Sequence, residues 1–194
     1  HQFDIDNEYI MSPKDLCTIG FLDQVLDSGI NILKIEGRGR SPEYVKTTTQ
    51  SYREAADAYL QGTYNKEKVK EWIKKLETVY NRGFWDGYYL GQKLGEWTRI
   101  HGSKASKKKI YLGKAKNYFT KIQVAEFDLE TQQLKEGDNI LITGRTTGII
   151  ETVAGEIRLN DKQVKSVKKG DNFSMRLNQI VRPSDKLYKI VNSK

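Results

Sequence analysis

The sequence predicts an α/β segment followed by a separate all-β domain, and three observations support this. In the first half, apolar residues recur at helical spacing, and a short apolar run ending in glycine separates two of the helices. From Ile110 onward the apolar period changes to two, with turn residues at short intervals. The charge divides at about the same place, since residues 1–100 hold 14 Lys and Arg against 15 Asp and Glu, whereas residues 101–194 hold 19 against 10.

The composition is that of an ordinary soluble protein, with 30% charged residues, 37% hydrophobic residues and a net charge of +8. No apolar run is long enough to span a bilayer and no signal peptide is visible, so we expect no membrane partner. A single cysteine excludes an internal disulfide and is typical of a reducing compartment, which predicts a cytoplasmic protein. The basic second half predicts an acidic or nucleic-acid partner, although a solvated lysine-rich surface is an equally good interpretation.

The first helix is predicted to begin at Ser12-Pro13, an N-cap residue followed by proline at the first helical position. Before it, residues 4–8 are expected to form a loop and residues 9–11 a short strand. Apolar residues at helical spacing extend the helix to Gly29, namely Leu16, Ile19, Leu22, Val25 and Leu26. Cys17 would lie in an early turn, where the helix dipole favours a thiolate. The alternative for a lone cysteine is a small buried hydrophobe.

A strand is predicted at Ile30–Ile35, and it leads into a glycine-rich turn. Lys34, Glu36 and Arg38 share a parity, so in an extended chain they point the same way. Burying this line of charges without partners would be costly, which favours a polar cavity at the carboxyl end of the strand. The alternatives are an edge strand or a structural network of ion pairs.

Two further helices are predicted in this half. Ser41 caps and Pro42 opens one that runs to about Leu60, and replacing Ser41 by alanine is expected to cost about 1 kcal/mol. Asn65 caps the next, whose buried face carries Val69, Trp72, Ile73 and Leu76. The aromatic, glycine-rich stretch 81–91 is expected to be a closing loop, with a lid as the alternative. Two parallel strands cannot bury themselves, so we expect residues 1–100 to be the tail of a larger α/β domain.

Residues 101–109 are rich in Gly, Ser and Lys and are predicted to be a linker, which leaves residues 110–194 as a small β-barrel. Lys135–Asn139 and Lys168–Asn172 form a weak internal repeat in which Gly-Asp supplies a turn. The strand candidates are Lys109–Ala115, Lys121–Phe127, Asn139–Thr143, Gly148–Val153, Glu156–Leu159, Val164–Val167, Asn172–Leu177 and Tyr188–Val191.

Several stretches together resemble the collagenase-like peptidase family U32, in its C-terminal half. The similar segments are Met11–Cys17 (Met-Ser-Pro-Lys-Asp-Leu-Cys), Ile32–Arg38 (Ile-Leu-Lys-Ile-Glu-Gly-Arg), Ser51–Ala55 (Ser-Tyr-Arg-Glu-Ala), Asn81–Phe84 (Asn-Arg-Gly-Phe) and Asp185–Tyr188 (Asp-Lys-Leu-Tyr). The resemblance implies that the first half contains the C-terminal βα units of a TIM-like barrel. It also implies that the second half is an elongation-factor-type β-barrel.

The resemblance further implies an activity, and two are known in the family. Members have been classed as peptidases of unassigned catalytic type, and several bacterial members hydroxylate tRNA or rRNA with prephenate implicated. Relatives in ubiquinone hydroxylation carry an iron–sulfur cluster, so Cys17 is a candidate ligand whose companions would lie outside this chain. A missing N-terminal half of the barrel is the expected protein partner, and an oligomer is left open.

The residues themselves do not reveal a standard hydrolase. Only His1 and His101 are present, at the terminus and in the predicted linker, and no His-Glu-x-x-His zinc pattern exists. We therefore predict an RNA-hydroxylating enzyme that is inactive as this chain alone, with a peptidase and a non-enzymatic binding fragment as alternatives.

The predicted site follows from the resemblance together with the charges. Lys34, Glu36 and Arg38 are the candidate catalytic residues: the two cations would bind a carboxylated co-substrate such as prephenate, and Glu36 would hold the arginine or move a proton. Arg40 and Arg82 are candidate substrate-binding residues. The candidate RNA-binding residues are Lys107, Lys108, Lys109, Lys168 and Lys169.

Overall fold

The computed structural model describes residues 12–99 and 101–193. The chain divides into two compact units, residues 1–106 and 107–194. The first unit mixes helices with short strands, the second consists of antiparallel strands, and each has its own hydrophobic core. No helix in the described ranges is long and apolar enough to cross a membrane.

The first unit is built around three helices. In chain order it contains β1 (Asp15–Leu16), a 3-10 turn (Ile19–Phe21), α1 (Leu22–Asp27), α2 (Pro42–Leu60), α3 (Lys66–Leu76) and β2 (Phe84–Trp85). β1 and β2 run parallel, with Asp15 opposite Phe84. The buried core residues are Cys17, Ile19, Leu22, Ala55, Ala58, Trp72 and Leu76. Small residues on α2 allow it to pack closely against α3, which contributes the large Trp72.

The predictions for α2 and α3 are confirmed. Asn65 caps α3, since its side chain accepts the backbone N–H of Lys68 at 2.9 Å. Ser41 has the extended backbone of an N-cap, but its side chain makes no capping hydrogen bond. The expected cost of about 1 kcal/mol for replacing Ser41 therefore has no capping hydrogen bond to support it, because that figure belongs to a side chain that satisfies a free N–H group.

The prediction that the first helix begins at Ser12-Pro13 is wrong. The backbone N–H groups of Lys14, Asp15 and Cys17 donate instead to carbonyls of residues 83–96, at 2.8–2.9 Å. These bonds hold the chain in β1, so α1 begins only at Leu22. Gly29 ends this region with a φ of +87°, as the helix-end prediction requires.

The predicted strand Ile30–Ile35 is not formed. Residues 30–36 have no regular secondary structure, and none of the described strands pairs with them. Ile32 is 84% exposed and Ile30 is 43% exposed. An isolated extended segment has no ladder of hydrogen bonds to stabilise it, so alternation alone does not make a strand.

The second unit is an antiparallel sheet around one core. Its strands are β3 (Lys107–Phe119), β4 (Val124–Leu129), β5 (Gln133–Lys135), β6 (Asn139–Gly144), β7 (Gly148–Val153), β8 (Ile157–Leu159), β9 (Lys162–Val164), β10 (Ser166–Lys168), β11 (Asn172–Arg176) and β12 (Lys186–Asn192). Eight strands pair in the order β7-β6-β12-β3-β4-β11-β8-β9, and β5 pairs with β10. The stacked rings of Phe127 and Phe173 lie in the buried core, with centroids 5.5 Å apart.

The strand predictions for this unit are confirmed apart from details of boundary. The candidate Val164–Val167 is divided between β9, which pairs with β8, and β10, which pairs with β5. The N–H of Glu136 donates to the carbonyl of Lys165 at 3.0 Å, so Lys165 already follows the register of the β5–β10 pair. β5 was not predicted, since its three residues lie among turn residues and show no clear alternation.

The predicted internal repeat is confirmed, and the structure adds a third copy. In Lys135–Asp138, Lys168–Asp171 and Arg182–Asp185, the aspartate accepts the N–H of the residue three positions earlier at 2.8 Å. The residue before each aspartate has a positive φ, namely Gly137 (+85°), Gly170 (+94°) and Ser184 (+74°). The third turn lacks glycine, which is why the Gly-Asp pattern does not reveal it.

Candidate functional site

Two arginines of the first unit converge on one aspartate. Arg40 Nη2 donates to Asp15 Oδ1 at 2.7 Å, and the backbone N–H of Arg82 donates to Asp15 Oδ2 at 2.8 Å. Arg82 Nη2 lies 3.7 Å from Asp15 Oδ1. We call Asp15, Arg40 and Arg82 the arginine–aspartate cluster.

Aromatic rings hold one of the two guanidinium groups. Arg40 Cζ lies 4.6 Å from the ring centroid of Tyr80 and 5.1 Å from that of Tyr44. The side chains of Asp15 and Arg40 are only 13% and 18% exposed, so water screens their ion pair weakly. Stacking on aromatic rings and a partly dry environment fix the orientation of Arg40.

The cluster has more positive than negative charge. Two guanidinium groups face one carboxylate, and Arg82 Nε is buried without a hydrogen-bond partner within the described part of the chain. A buried donor without an acceptor is costly, and an incoming oxyanion would satisfy it. The arrangement is therefore suited to binding a carboxylate or a phosphate.

The fold places these groups by two local devices. The parallel pairing of β1 with β2 brings Asp15 next to the residues that follow Arg82. Arg40 follows a turn in which its N–H donates to the carbonyl of Gly37 at 3.0 Å. Gly39 has a φ of +70°, and a Cβ on Gly37 would lie 2.8 Å from Val45 Cγ2, so both positions require glycine.

The three candidate catalytic residues lie apart from any strand. Lys34, Glu36 and Arg38 are all exposed, and the shared strand face that the alternation predicted is absent. Glu36 Oε1 accepts the backbone N–H of Arg38 at 2.6 Å, which is a local turn contact. No contact between these side chains and the arginine–aspartate cluster is present among the described residues, and their catalytic role stays a prediction.

Cys17 lies between β1 and the 3-10 turn, so the prediction that it belongs to a helix is wrong. Its N–H donates to the carbonyl of Trp85 at 2.9 Å, and its side chain is buried. Burial raises the pKa of the Cys17 thiol, which is the opposite of the thiolate that a helix dipole would favour. The hydroxyl of Tyr52 lies 4.0 Å from Cys17 Sγ, and burial raises the pKa of this phenol as well.

The surroundings of Cys17 do not by themselves fit a metal site. In the described ranges no three His, Cys, Asp or Glu side chains are grouped so as to hold a metal ion. An iron–sulfur cluster is held by several thiolates, of which this chain could supply one. The protonated, buried Cys17 is consistent with a core residue.

The candidate RNA-binding lysines are all exposed, and they lie at two places in the second unit. Lys107, Lys108 and Lys109 begin β3, whereas Lys168 ends β10 and Lys169 follows it in the turn. Exposure leaves these ammonium groups accessible to phosphates, and their role in binding RNA remains a prediction.

Sequence reasoning missed Asp15, Tyr44 and Tyr80. Asp15 was assigned to the first turn of a helix, where acidic residues are common. A signal was nevertheless available, since Arg40 and Arg82 each lie beside a glycine-containing turn and a part-buried arginine needs a carboxylate. The two tyrosines give no comparable signal, because their contacts with Arg40 depend on how the helices pack.

Comparison with known proteins places the first unit in a family. The model of peptidase family U32 matches residues 1–99, which include the arginine–aspartate cluster. A collagenase of Porphyromonas gingivalis is 52% identical over 188 residues, which are 97% of this chain and 45% of the relative. A tRNA hydroxylation protein of Bacillus subtilis is 32% identical over 156 residues, 78% of this chain and 36% of the relative.

A solved structure resembles part of the chain more distantly. It is the C-terminal domain of a Geobacillus thermoleovorans protein assigned to the U32 peptidases, with a TM-score of 0.39 and 14% sequence identity, covering 41% of this chain and 90% of that domain. The chain spans about half the length of the curated relatives that it matches over nearly its whole length. Because the family model covers about half of the chain, the chain belongs to peptidase family U32.

Proposed function

We propose that this chain is part of an RNA-hydroxylating enzyme, in which the second unit binds the RNA. The observation that carries the proposal is the charge division between the units. Residues 107–194 hold 18 Lys and Arg against 10 Asp and Glu, whereas residues 1–106 hold 15 of each. A polyanionic partner such as RNA is attracted to one unit and not to the other.

The relatives support this proposal from a second direction. Several curated relatives are named tRNA hydroxylation proteins, and the match to one of them extends over 78% of this chain. The match is long enough to include residues of both units, so at least part of the second unit has a counterpart in that relative.

Within the proposed enzyme, the arginine–aspartate cluster binds an anionic group of the co-substrate. Arg40 is held by Tyr44 and Tyr80, and Arg82 offers an Nε donor that has no acceptor among residues 12–99 and 101–193. A carboxylate, such as one of those of prephenate, would accept from both guanidinium groups and share them with Asp15. The cluster positions this substrate, and Lys34, Glu36 and Arg38 are the proposed catalytic groups.

The remainder of the proposed active site comes from protein outside this chain. Residues 30–36 carry exposed apolar side chains and have no strand partner in the described ranges. Paired with strands of a TIM-like barrel, this segment would become a strand, and Lys34 and Glu36 would then share one face. Cys17 would act as a cluster ligand only if the rest of the protein brings further cysteines to it and lowers its pKa.

Binding of tRNA by the 194-residue chain tests the proposal. We expect filter binding at low salt, weakened about tenfold for each doubling of salt if about four phosphates are contacted. Replacing Lys107, Lys108 and Lys109 together by alanine should reduce the slope of log K against log salt by about 3. The matched control replaces Lys66, Lys70 and Lys74, three exposed lysines of α3, and should leave the slope unchanged. No binding at low salt, or equal loss in both triple variants, would contradict the proposal.

A peptidase is the second candidate, because the collagenase of Porphyromonas gingivalis is 52% identical to this chain. The discriminating assay uses the complete protein with labelled gelatin and with tRNA plus prephenate. Cleavage of gelatin that is abolished by Arg40→Ala, without any hydroxylated nucleoside in the tRNA, would favour the peptidase.

A further inference from the structure

Two tyrosines of the second unit meet on neighbouring strands. Tyr111 of β3 and Tyr188 of β12 are directly opposite each other, and their ring centroids are 5.6 Å apart at an interplanar angle of 67°. Lys109 Nζ lies 5.0 Å from the ring centroid of Tyr188. Both rings are half-buried, so part of each ring remains accessible.

A β-bulge in β3 adds a lysine to the same face. Leu187 pairs with Gly113 and Tyr188 with Tyr111, so the register shift leaves Leu112 as an extra residue in β3. The extra residue reverses the parity of β3, which puts Lys114 on the side of Tyr111. Glu130 confirms this placement, because it accepts from Tyr111 Oη at 2.7 Å and lies 3.2 Å from Lys114 Nζ.

On the neighbouring strand, Lys186 is opposite Lys114 and two positions from Tyr188, so it shares their face. We call Lys109, Tyr111, Lys114, Lys186 and Tyr188 the tyrosine–lysine face. Like charges directly opposite on paired strands destabilise a sheet, and Lys114 and Lys186 form such a pair beside the single carboxylate of Glu130, which lies against Lys114. A bound anion would relieve this repulsion.

The aromatic part of the face is held in place before any ligand arrives. Tyr111 is fixed by its hydrogen bond to Glu130, and Tyr188 is fixed by its edge contact with Tyr111. Burial and the hydrogen bond to Glu130 raise the pKa of Tyr111 to about 12, so its hydroxyl stays protonated and continues to donate. A ring that is already ordered loses little conformational entropy when a base stacks on it.

We propose that the tyrosine–lysine face binds single-stranded RNA, with a base stacked on Tyr188 and the adjacent phosphates held by Lys114 and Lys186. This rests on the proposed function, because it names the surface and the form of RNA that the second unit recognises. Ordered aromatic rings beside cations are the usual means of binding single strands, whose bases are free to leave their own stack. Bases in a duplex are not available to Tyr188. Because Lys109 Nζ lies over the ring of Tyr188, stacking of a base there would require this side chain to be displaced.

Fluorescence polarisation with the 194-residue chain tests the inference. The probes are a labelled ten-nucleotide single-stranded RNA of mixed sequence and the same strand annealed to its complement, with a polyglutamate peptide as competitor. We expect the single strand to bind more tightly than the duplex, and polyglutamate to compete poorly. Equal affinity for the duplex would overturn the proposal. Displacement of the single strand by polyglutamate at the same concentration of charge would also overturn it, and would favour an acidic protein as the partner.

Substitutions at one position separate stacking from packing. Tyr188→Leu keeps apolar bulk but removes the aromatic face, and should weaken single-strand binding at least about fivefold. Tyr188→Trp keeps an aromatic face and should bind at least as tightly as the unmodified chain.

A pair of lysine substitutions tests the phosphate contacts. Lys186→Ala should reduce the slope of log K against log salt by about 1, whereas Lys162→Ala, in β9 at the edge of the sheet, should leave the slope unchanged.

The outcomes distinguish this inference from the function on which it rests. If the unmodified chain binds neither the single strand nor the duplex at low salt, the proposed RNA-binding function is wrong, and so is the proposed role of the tyrosine–lysine face. If it binds the single strand but Tyr188→Leu binds equally well, the RNA-binding function stands and the tyrosine–lysine face is not its surface. Circular dichroism of each variant verifies that the sheet is intact.

Discussion

The two units differ in how completely they pair their own strands. In the second unit the ten described strands, β3–β12, find neighbours within the unit, and three of the connections between them are closed by aspartate side chains. In the first unit only β1 and β2 pair, over two residues each, and the apolar segment 30–36 has no strand partner among the described residues. The difference shows that local alternation predicts a strand reliably only where the chain also supplies its neighbours.

The two units also stabilise their folds differently. The second unit buries a cluster of apolar side chains between its strands. The first unit buries a smaller apolar cluster and adds polar contacts to it. These include the arginine–aspartate cluster, the bond from the N–H of Thr18 to the Tyr52 hydroxyl and the bond from the Tyr64 hydroxyl to the carbonyl of Ile19. We therefore expect substitutions at close backbone contacts to be most damaging in the second unit, and loss of a charge partner to be the sensitive change in the first.

Gly113→Ala should have the largest effect, and it should act on the second unit. A Cβ at this position would overlap the carbonyl oxygen of Asp128 on the paired strand β4, so the backbone must move. We expect a loss of about 3 kcal/mol in the free energy of unfolding, since such overpacking cannot be relieved by a side-chain rotation. Urea unfolding followed by circular dichroism at a wavelength sensitive to β-structure measures it.

Gly155→Ala is the matched control, because a Cβ there would meet nothing within 4 Å. Trp72, Trp85 and Trp97 all belong to the first unit, so their fluorescence reports on that unit separately. An equal loss in Gly155→Ala, or an unchanged transition in Gly113→Ala, would contradict the close contact between β3 and β4.

Asp15→Asn should have the next largest effect, on the first unit. The asparagine would remove the carboxylate charge that Arg40 and Arg82 share, and the three side chains are 13–29% exposed, so screening by water is incomplete. We expect a loss of about 1–2 kcal/mol in the free energy of unfolding, seen as a shift in the tryptophan fluorescence transition. Glu71→Gln, on the exposed side of α3, should change the transition by less than about 0.5 kcal/mol. If added phosphate restores the stability of Asp15→Asn, the cluster has the anion affinity proposed for it.

The sequence was sufficient for those parts of the fold that depend on nearby residues. α2 and α3 were predicted because proline, asparagine and apolar spacing act within one helix. The strands of the second unit were predicted because alternation and Gly-Asp turns act within one hairpin. The third aspartate turn, at Asp185, escaped prediction only because serine occupies the position with positive φ.

The sequence was not sufficient where the partners are far apart along the chain. Asp15 meets Arg40 and Arg82 across 25 and 67 positions, and no local pattern encodes those contacts. The same long-range bonds, from residues 14–17 to residues 83–96, replaced the predicted start of the first helix. Arg40 and Arg82 were nevertheless selected as candidate substrate-binding residues, because the resemblance and the charges of the two loops pointed to them.

Cys17 should react slowly with thiol reagents in the folded chain. Its buried environment raises the thiol pKa, so less thiolate is present at a given pH, and each unit of that rise lowers reactivity about tenfold. The stability that this protonated thiol contributes is complete below its pKa in the unfolded chain, about 8.5, and declines as the pH rises above that value. The protection is measured by comparing the rate of Cys17 modification at pH 8 in buffer with the rate in about 6 M urea, which unfolds the chain. Equal rates in the two conditions would show that Cys17 is accessible and would restore it as a candidate ligand.

A comparison of the two helix caps should reveal the smallest difference, within the first unit. Asn65→Ala removes the bond to the N–H of Lys68 and should cost about 1 kcal/mol. Ser41→Ala removes no side-chain bond, and Pro42 already lacks one of the N–H groups that a cap would satisfy, so it should cost only a few tenths of a kcal/mol. Urea unfolding followed by tryptophan fluorescence compares the two variants under one set of conditions. Equal costs would mean that the Ser41 hydroxyl caps α2 in solution, and the two helix starts would then be stabilised in the same way.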